Sequence, residues 1–195
     1  MKIISVDKNN WRASLAEVVK ALKNGAIIVY PTETAYGIGG DPKNKKVISK
    51  INKLKGRPAH KFLPCIASSY YAVQKAFYLN NSERAYISKN WPGPYTLLLR
   101  PKQRRHQLQF GYDDIAIRVS AHECARYLAR SLGGFIISTS ANLSGFGNNY
   151  SVLDVAKQFQ GKKLQPDYLI DWGGLPRRKS STIVKFEGNT KIKIR

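Results

Sequence analysis

The sequence predicts an α/β fold, a mixed parallel and antiparallel sheet with helices packed on it, from three observations. Helical and strand-like periods alternate through the first half of the chain, and strands follow one another near its end. The apolar fraction, 43% against 23% charged, is enough to bury a sizeable core and excludes a disordered chain. A length of 195 residues is that of one domain, expected to span residues 1–195.

Met1 to Val6 is too short an apolar stretch for a signal peptide and reads as a first strand. Val6 to Gly25 reads as a helix, with Trp11, Leu15, Val18 and Leu22 on one face and Gly25 at its C-terminal cap. Ala26 to Tyr30 is continuously apolar, as in a strand covered on both faces. A second helix is expected from Asp41, with Asp41 as N-cap, Pro42 in the first turn and Gly56 as the stop. Its buried stripe is Val47, Ile48, Ile51 and Leu54. Further strands are expected near 62–67, 95–100, 115–119, 135–138, 167–171, 181–186 and 191–195, and helices over 69–78, 82–90, 121–132 and 151–160. Ser151 to Asp154 resembles a capping box.

Thirty-three Lys and Arg against twelve Asp and Glu give a net charge of +21, a field that draws polyanions. RNA, nucleotides and anionic membranes would all respond to it. No apolar run approaches the ~20 residues of a membrane span, and no lipidation signal or long basic amphipathic helix is present. A cytoplasmic protein with no membrane partner is therefore expected. Cys65 and Cys124 are far apart and read as buried thiols, while His60, His106 and His122 lack metal-ligand spacing.

Four polar segments sit at strand or helix ends. Pro31 to Asp41 follows a buried strand and precedes a helix, a common ligand position in α/β sheets, although neither GxxxxGK[ST] nor GxGxxG is matched. Lys55-Gly56-Arg57-Pro58-Ala59-His60-Lys61 places three cations past a helix end, combining Arg's rigid fork with mobile Lys charges as a phosphate clamp would. Ser138 to Gly145 offers alternating hydroxyls and an amide as neutral donors, or as caps of their own turn. Trp91-Pro92-Gly93-Pro94 precedes one strand, and Arg118, at the end of another buried one, needs an anionic partner. No cluster of carboxylates and no nucleophile elbow appears. Cations and hydroxyls without general bases suit displacement at phosphorus, where positioning and charge neutralisation dominate.

Taken in order, these segments resemble the YrdC/TsaC family of threonylcarbamoyl-AMP synthases. The resemblance runs from about Ala26 to Arg195 through Pro-Thr-Glu-Thr-Ala-Tyr-Gly-Ile-Gly, Lys-Gly-Arg-Pro, Trp-Pro-Gly-Pro-Tyr-Thr-Leu, Ile-Ala-Ile-Arg, Ser-Thr-Ser-Ala-Asn-Leu-Ser-Gly and Ser-Ser-Thr-Ile-Val. It implies a strongly twisted sheet around a basic concave cavity. It implies that Lys55, Arg57, Ser140 and Asn142 are catalytic and gather with Lys61 and Arg195 around ATP. Thr32, Arg118, Ser138 and Ser181 would hold threonine, with Arg118 facing its carboxylate. The implied reaction joins L-threonine, bicarbonate and ATP, with Mg2+ carried by the ATP. Downstream proteins would then transfer the threonylcarbamoyl group to tRNA. Phe62 stands where proline is common in the family, and Lys185 where aspartate is usual. The competing reading, from the charge alone, is an RNA-binding or ribosome-maturation factor gripping tRNA or other structured RNA.

Overall fold

Among the residues described by the computed structural model (1–7, 9–57, 63–103 and 113–195), the strands form two mixed sheets rather than one. The first has the order β1 (Lys2–Ser5), β9 (Tyr168–Asp171), β2 (Ile28–Pro31), β3 (Tyr36–Gly39) and β8 (Thr139–Ser140). β2 is parallel to β9, and β3 is antiparallel to both β2 and β8. The second sheet has the order β11 (Thr190–Lys193), β10 (Thr182–Glu187), β5 (Tyr95–Leu99), β6 (Ile115–Val119), β4 (Cys65–Ala67) and β7 (Phe135–Ile137). β5 is parallel to β10 and antiparallel to β6, while β4 is parallel to β6 and antiparallel to β7.

One stretch of chain joins the sheets. β7 pairs with β4 in the second sheet, and two residues later β8 pairs with β3 in the first. Ser138, at the crossing, donates its N–H to the Pro64 carbonyl at 2.7 Å, and Ile137 donates to Gly40 at 3.0 Å. The Tyr30 hydroxyl, fully buried in β2, donates to the Ile137 carbonyl at 2.7 Å and pins the sheets together.

β2 shows why its sequence is apolar without alternation. Ile28 and Tyr30 pack into one cluster with Trp11, Leu15, Val18, Leu22 and Leu128, whereas Val29 packs into another with Val47, Ile51, Leu54 and Phe159. Both faces are covered, so neither can be polar. β7 behaves alike, with Ile136 in the first cluster and Ile137 in the second.

The N-terminal helical stretch starts later than its periodicity predicts and is divided, with α1 at Trp11–Ser14 and α2 at Ala16–Lys23. Leu15 lies between them with φ −97° and ψ 2°, off the helical ψ. Its side chain is wholly buried, so the apolar stripe survives the break. α3 covers Lys45–Lys55 and is capped by Asn44, whose side chain accepts from Lys46 and Val47 N–H, not by Asp41. Asp41 instead accepts from the Lys43 N–H at 2.8 Å and closes the preceding turn. Gly56 ends α3 with φ 62°, a left-handed value suited to glycine.

The remaining helices are α4 (Tyr70–Ala76), α5 (Asn81–Asn90), α6 (Glu123–Ser131) and α7 (Val152–Phe159), close to their predicted spans. Asn80 and Glu83 form a full capping box on α5. On α7 the Ser151 hydroxyl accepts from the Asp154 N–H at 3.1 Å. Cys65 and Cys124 are buried free thiols. Lys185, on β10, pairs with Asp114 at 3.3 Å and with Glu187 at 3.8 Å.

Candidate active site

A cavity of about 260 Å³ opens between the two sheets. The turn between β2 and β3 supplies Thr32, Thr34 and Ala35, and the sheet crossing supplies Ser138, Thr139 and Ser140. The second sheet adds Cys65, Thr96, Arg118 and Ile183, while Arg57, Ser181 and the C-terminal Arg195 complete the cationic and hydroxyl lining. Asn148 and Ser180 stand at the same wall, joined by an Asn148 Nδ2 to Ser180 Oγ bond of 3.1 Å. Among the described residues no Asp or Glu side chain lines this cavity.

The three arginines are held differently. Arg57 follows the end of α3 and donates through Nη1 to Thr139 Oγ1 at 3.3 Å, while its buried Nε has no hydrogen-bond partner among the described residues. Arg195 donates through Nη2 to the Ser181 carbonyl at 3.2 Å and to Ser181 Oγ at 3.4 Å, and that hydroxyl lies 3.0 Å from Thr96 Oγ1. Burial first, then the charges of Arg118 and Arg57, push the Arg195 guanidinium below its ordinary pKa. Arg118, buried on β6, has the anionic partner its position requires: Glu33 Oε1 lies 3.6 Å from its Nη1. Guanidiniums gathered where the described residues place no Asp or Glu side chain would attract anions.

Thr32 lines the cavity, but its hydroxyl also closes the β2–β3 turn, donating to the Ala35 carbonyl at 2.6 Å and accepting from the Ala35 N–H at 3.3 Å. Ser138, Ser140, Ser181, Arg57, Arg118 and Arg195 share the cavity wall with it, so residues remote in sequence converge. Lys55 and Asn142 are adjacent but do not line the cavity. The Lys55 side chain, 1% exposed, turns inward and donates through Nζ to the carbonyls of Ser140 and Asn142 and to Asn142 Oδ1. In this arrangement it braces the Ser140–Asn142 loop. The Asn142 amide donates to the Phe146 carbonyl, and the Ser140 hydroxyl donates to Asn142 Oδ1. Lys61, His60 and Phe62 fall outside the described residues.

Burial, and secondarily the Arg57 charge, push the Lys55 amine down to about 7 from an ordinary 10.5. Three oxygen acceptors oppose this by matching an ammonium's three N–H groups. The sign for stability follows. Between pH 7 and 10.5 the unfolded chain holds the proton more tightly than the native one, so folding stability rises with pH. Urea unfolding of the wild type relative to Lys55→Met should show a gap that shifts in favour of the wild type above pH 7, by at most about 1.4 kcal/mol per pH unit. A gap that stays flat to pH 9 would mean that Lys55 keeps its proton throughout.

Sequence reasoning left out Thr34, Thr96, Asn148, Ser180 and Glu33. Thr96 and Ser180 lie inside quoted signature segments, and Glu33 and Thr34 inside the Pro31 to Asp41 segment, so membership of those segments was the available signal. Asn148 lies in a polar loop with no such marker. No group of three His, Cys, Asp or Glu side chains among the described residues could hold a metal ion.

Comparison with known proteins gives a consistent picture. The Sua5/YciO/YrdC family model, described as "Telomere recombination", matches residues 20–195. Threonylcarbamoyl-AMP synthase from Saccharophagus degradans is 39% identical over 165 residues, covering 82% of this chain and 85% of that protein. Its counterpart from Idiomarina loihiensis is 43% identical over 157 residues, covering 77% and 81%. Among solved structures, P. abyssi Sua5 complexed with L-threonine superposes with a TM-score of 0.88 at 27% identity; all of this chain is covered, and it spans 57% of Sua5. E. coli YciO shares the fold, with a TM-score of 0.84 at 23% identity, covering 100% of this chain and 93% of YciO.

Proposed function

The chain belongs to the Sua5/YciO/YrdC family, and from that premise we propose that it is a threonylcarbamoyl-AMP synthase acting as a nucleotidyltransferase on ATP. L-Threonine's amine captures carbon dioxide derived from bicarbonate, giving a carbamate. An oxygen of the new carboxylate attacks the α-phosphorus of ATP, the bond to the β-phosphate oxygen breaks, and pyrophosphate leaves. Mg2+ enters with the ATP as part of the substrate. The product's threonylcarbamoyl group then passes, through downstream transfer proteins, to adenosine in tRNA.

The observation that carries this reading is the convergence of Arg57, Arg118 and Arg195 with hydroxyls of both sheets on one cavity whose wall, among the described residues, has no Asp or Glu side chain. Arg57 and Arg195 serve the phosphates, assisted by the Ser140 hydroxyl. Arg118 takes the threonine carboxylate, with Thr32, Ser138 and Ser181 beside it. Lys55 and Asn142 act mainly by fixing the loop that carries Ser140. The cavity's basic character is set by these guanidiniums, and charge stabilisation of a phosphoryl transition state needs no protein nucleophile.

The test is pyrophosphate release from ATP and bicarbonate with and without L-threonine. Release that rises at least tenfold on adding threonine is the expected result, a modest share of what positioning alone contributes. Release indifferent to threonine would remove the synthase assignment.

A further inference from the structure

Glu33 lies behind the cavity wall rather than on it, and its side chain is 5% exposed. Its two carboxylate oxygens have different surroundings. Oε2 accepts from the Ser120 hydroxyl, while Oε1 makes no hydrogen bond among the described residues and faces Arg118 Nη1 at 3.6 Å. Ser120 is itself fixed: the His122 N–H donates to its hydroxyl at 3.1 Å, and Arg126 Nη1 donates to its carbonyl at 2.6 Å. A rigid loop therefore holds the carboxylate, and the carboxylate lies against one edge of a guanidinium that lines the cavity. Neither Arg57 nor Arg195 has an ion-pair partner among the described residues.

We propose that Glu33 is a positioning and specificity-determining residue that gives the cavity two unlike ends. By offsetting the Arg118 charge from behind, it leaves Arg118 with a weak net field and a fixed orientation, suited to a single carboxylate. Arg57 and Arg195 keep their full charge and draw the polyphosphate. The two anions are thereby sorted, with the monoanion at the Glu33·Arg118 end and the triphosphate at the other. This inference rests on the assignment of threonine and ATP to the cavity.

Glu33→Gln keeps the side chain's size and can still accept from Ser120, but it removes the charge. With threonine-dependent release first established for the wild type, loss of the orientation that the ion pair gives Arg118 should outweigh its stronger bare charge and raise the threonine KM about tenfold, a coupling in the middle of the range for contacting residues. The ATP KM should stay within about twofold of wild type, since its binding end is untouched. Inorganic pyrophosphate should compete only with ATP in the wild type but also with threonine in the variant. In an Arg118→Gln background, Glu33→Gln should have no further effect on the threonine KM. A merely structural Glu33 would instead lower the melting temperature and disturb both KM values together, without altering the inhibition pattern. That outcome, or an unchanged threonine KM, would overturn the proposal. Absence of threonine dependence in the wild type would count against the underlying reaction instead.

Discussion

Arg57→Ala is expected to lower kcat/KM for threonine-dependent pyrophosphate release by at least about a hundredfold, the usual scale for removing one donor aimed at developing charge. Its position explains the size of the effect. Arg57 lines the cavity, and among the described residues its side chain makes one hydrogen bond, a 3.3 Å contact with Thr139 Oγ1. Its buried Nε is an unused donor. The arginine is therefore held in place for a ligand more than for the fold. Removing it also relieves repulsion felt by Lys55 and Arg195. Circular-dichroism melting of the variant should accordingly stay within a few degrees of wild type. Arg57→Lys should recover only part of the rate, because an ammonium cannot reproduce a guanidinium's planar fork. Full activity in Arg57→Ala would place the phosphates elsewhere.

The same cannot be expected of Lys55→Ala, despite its proximity. The buried Asn142 carbonyl would lose its donor, whereas the Ser140 carbonyl keeps the Asn142 N–H and Asn142 Oδ1 keeps the Ser140 hydroxyl. One unsatisfied buried acceptor costs roughly 1–3 kcal/mol, and the space left by the buried side chain adds to it. Lys55→Ala should therefore lower stability as well as activity.

The second large effect concerns the fold. Gly39→Ala should destabilise the protein by about 3 kcal/mol or more, the upper part of the range for overpacking. A Cβ on Gly39 would lie 1.7 Å from the Ile137 carbonyl oxygen and 2.7 Å from its carbon. The obstacle is backbone at the sheet junction, and the same oxygen accepts the Tyr30 hydroxyl, so neither side can easily yield. The melting temperature should fall by about 10 °C, since 1 kcal/mol corresponds to roughly 2–4 °C at this chain length. Gly147→Ala, whose added Cβ meets nothing within 4 Å, is the control and should change stability by less than about 0.5 kcal/mol. Equal melting of the two variants would show that the β3–β7 approach is looser than the structure places it.

This glycine also shows where sequence reading stops. The buried stripes of α2 and α3 and the doubly covered β2 were legible, because periodicity and continuous apolar runs report burial directly. β3 was not. Tyr36-Gly37-Ile38-Gly39 looks like a loop, yet its glycines serve close contact between backbones: Gly39 meets Ile137, and a Cβ on Gly37 would lie 3.3 Å from Ser138 Oγ. Such contact is long-range, and no local pattern encodes it. The crossing at Ser138 from one sheet to the other was hidden for the same reason, since β7 and β8 read as one strand followed by a polar loop. At the site, cations and hydroxyls marked the right segments. Which of them reach the cavity was settled by packing: Arg57 projects into it, while Lys55, two residues earlier, turns inward to partners 85 and 87 residues away in sequence. The need of Arg118 for an anion was readable, but its partner Glu33 lay unnoticed within a segment valued for its place between a strand and a helix.

A crystal structure of the protein with L-threonine and a non-hydrolysable ATP analogue would address the shared cavity most directly. Both molecules should appear between the sheets, with phosphate oxygens at Arg57 and Arg195 and the threonine carboxylate at Arg118. Nucleotide bound instead along the lysine-bearing outer face of α3, with the cavity empty of it, would contradict the account.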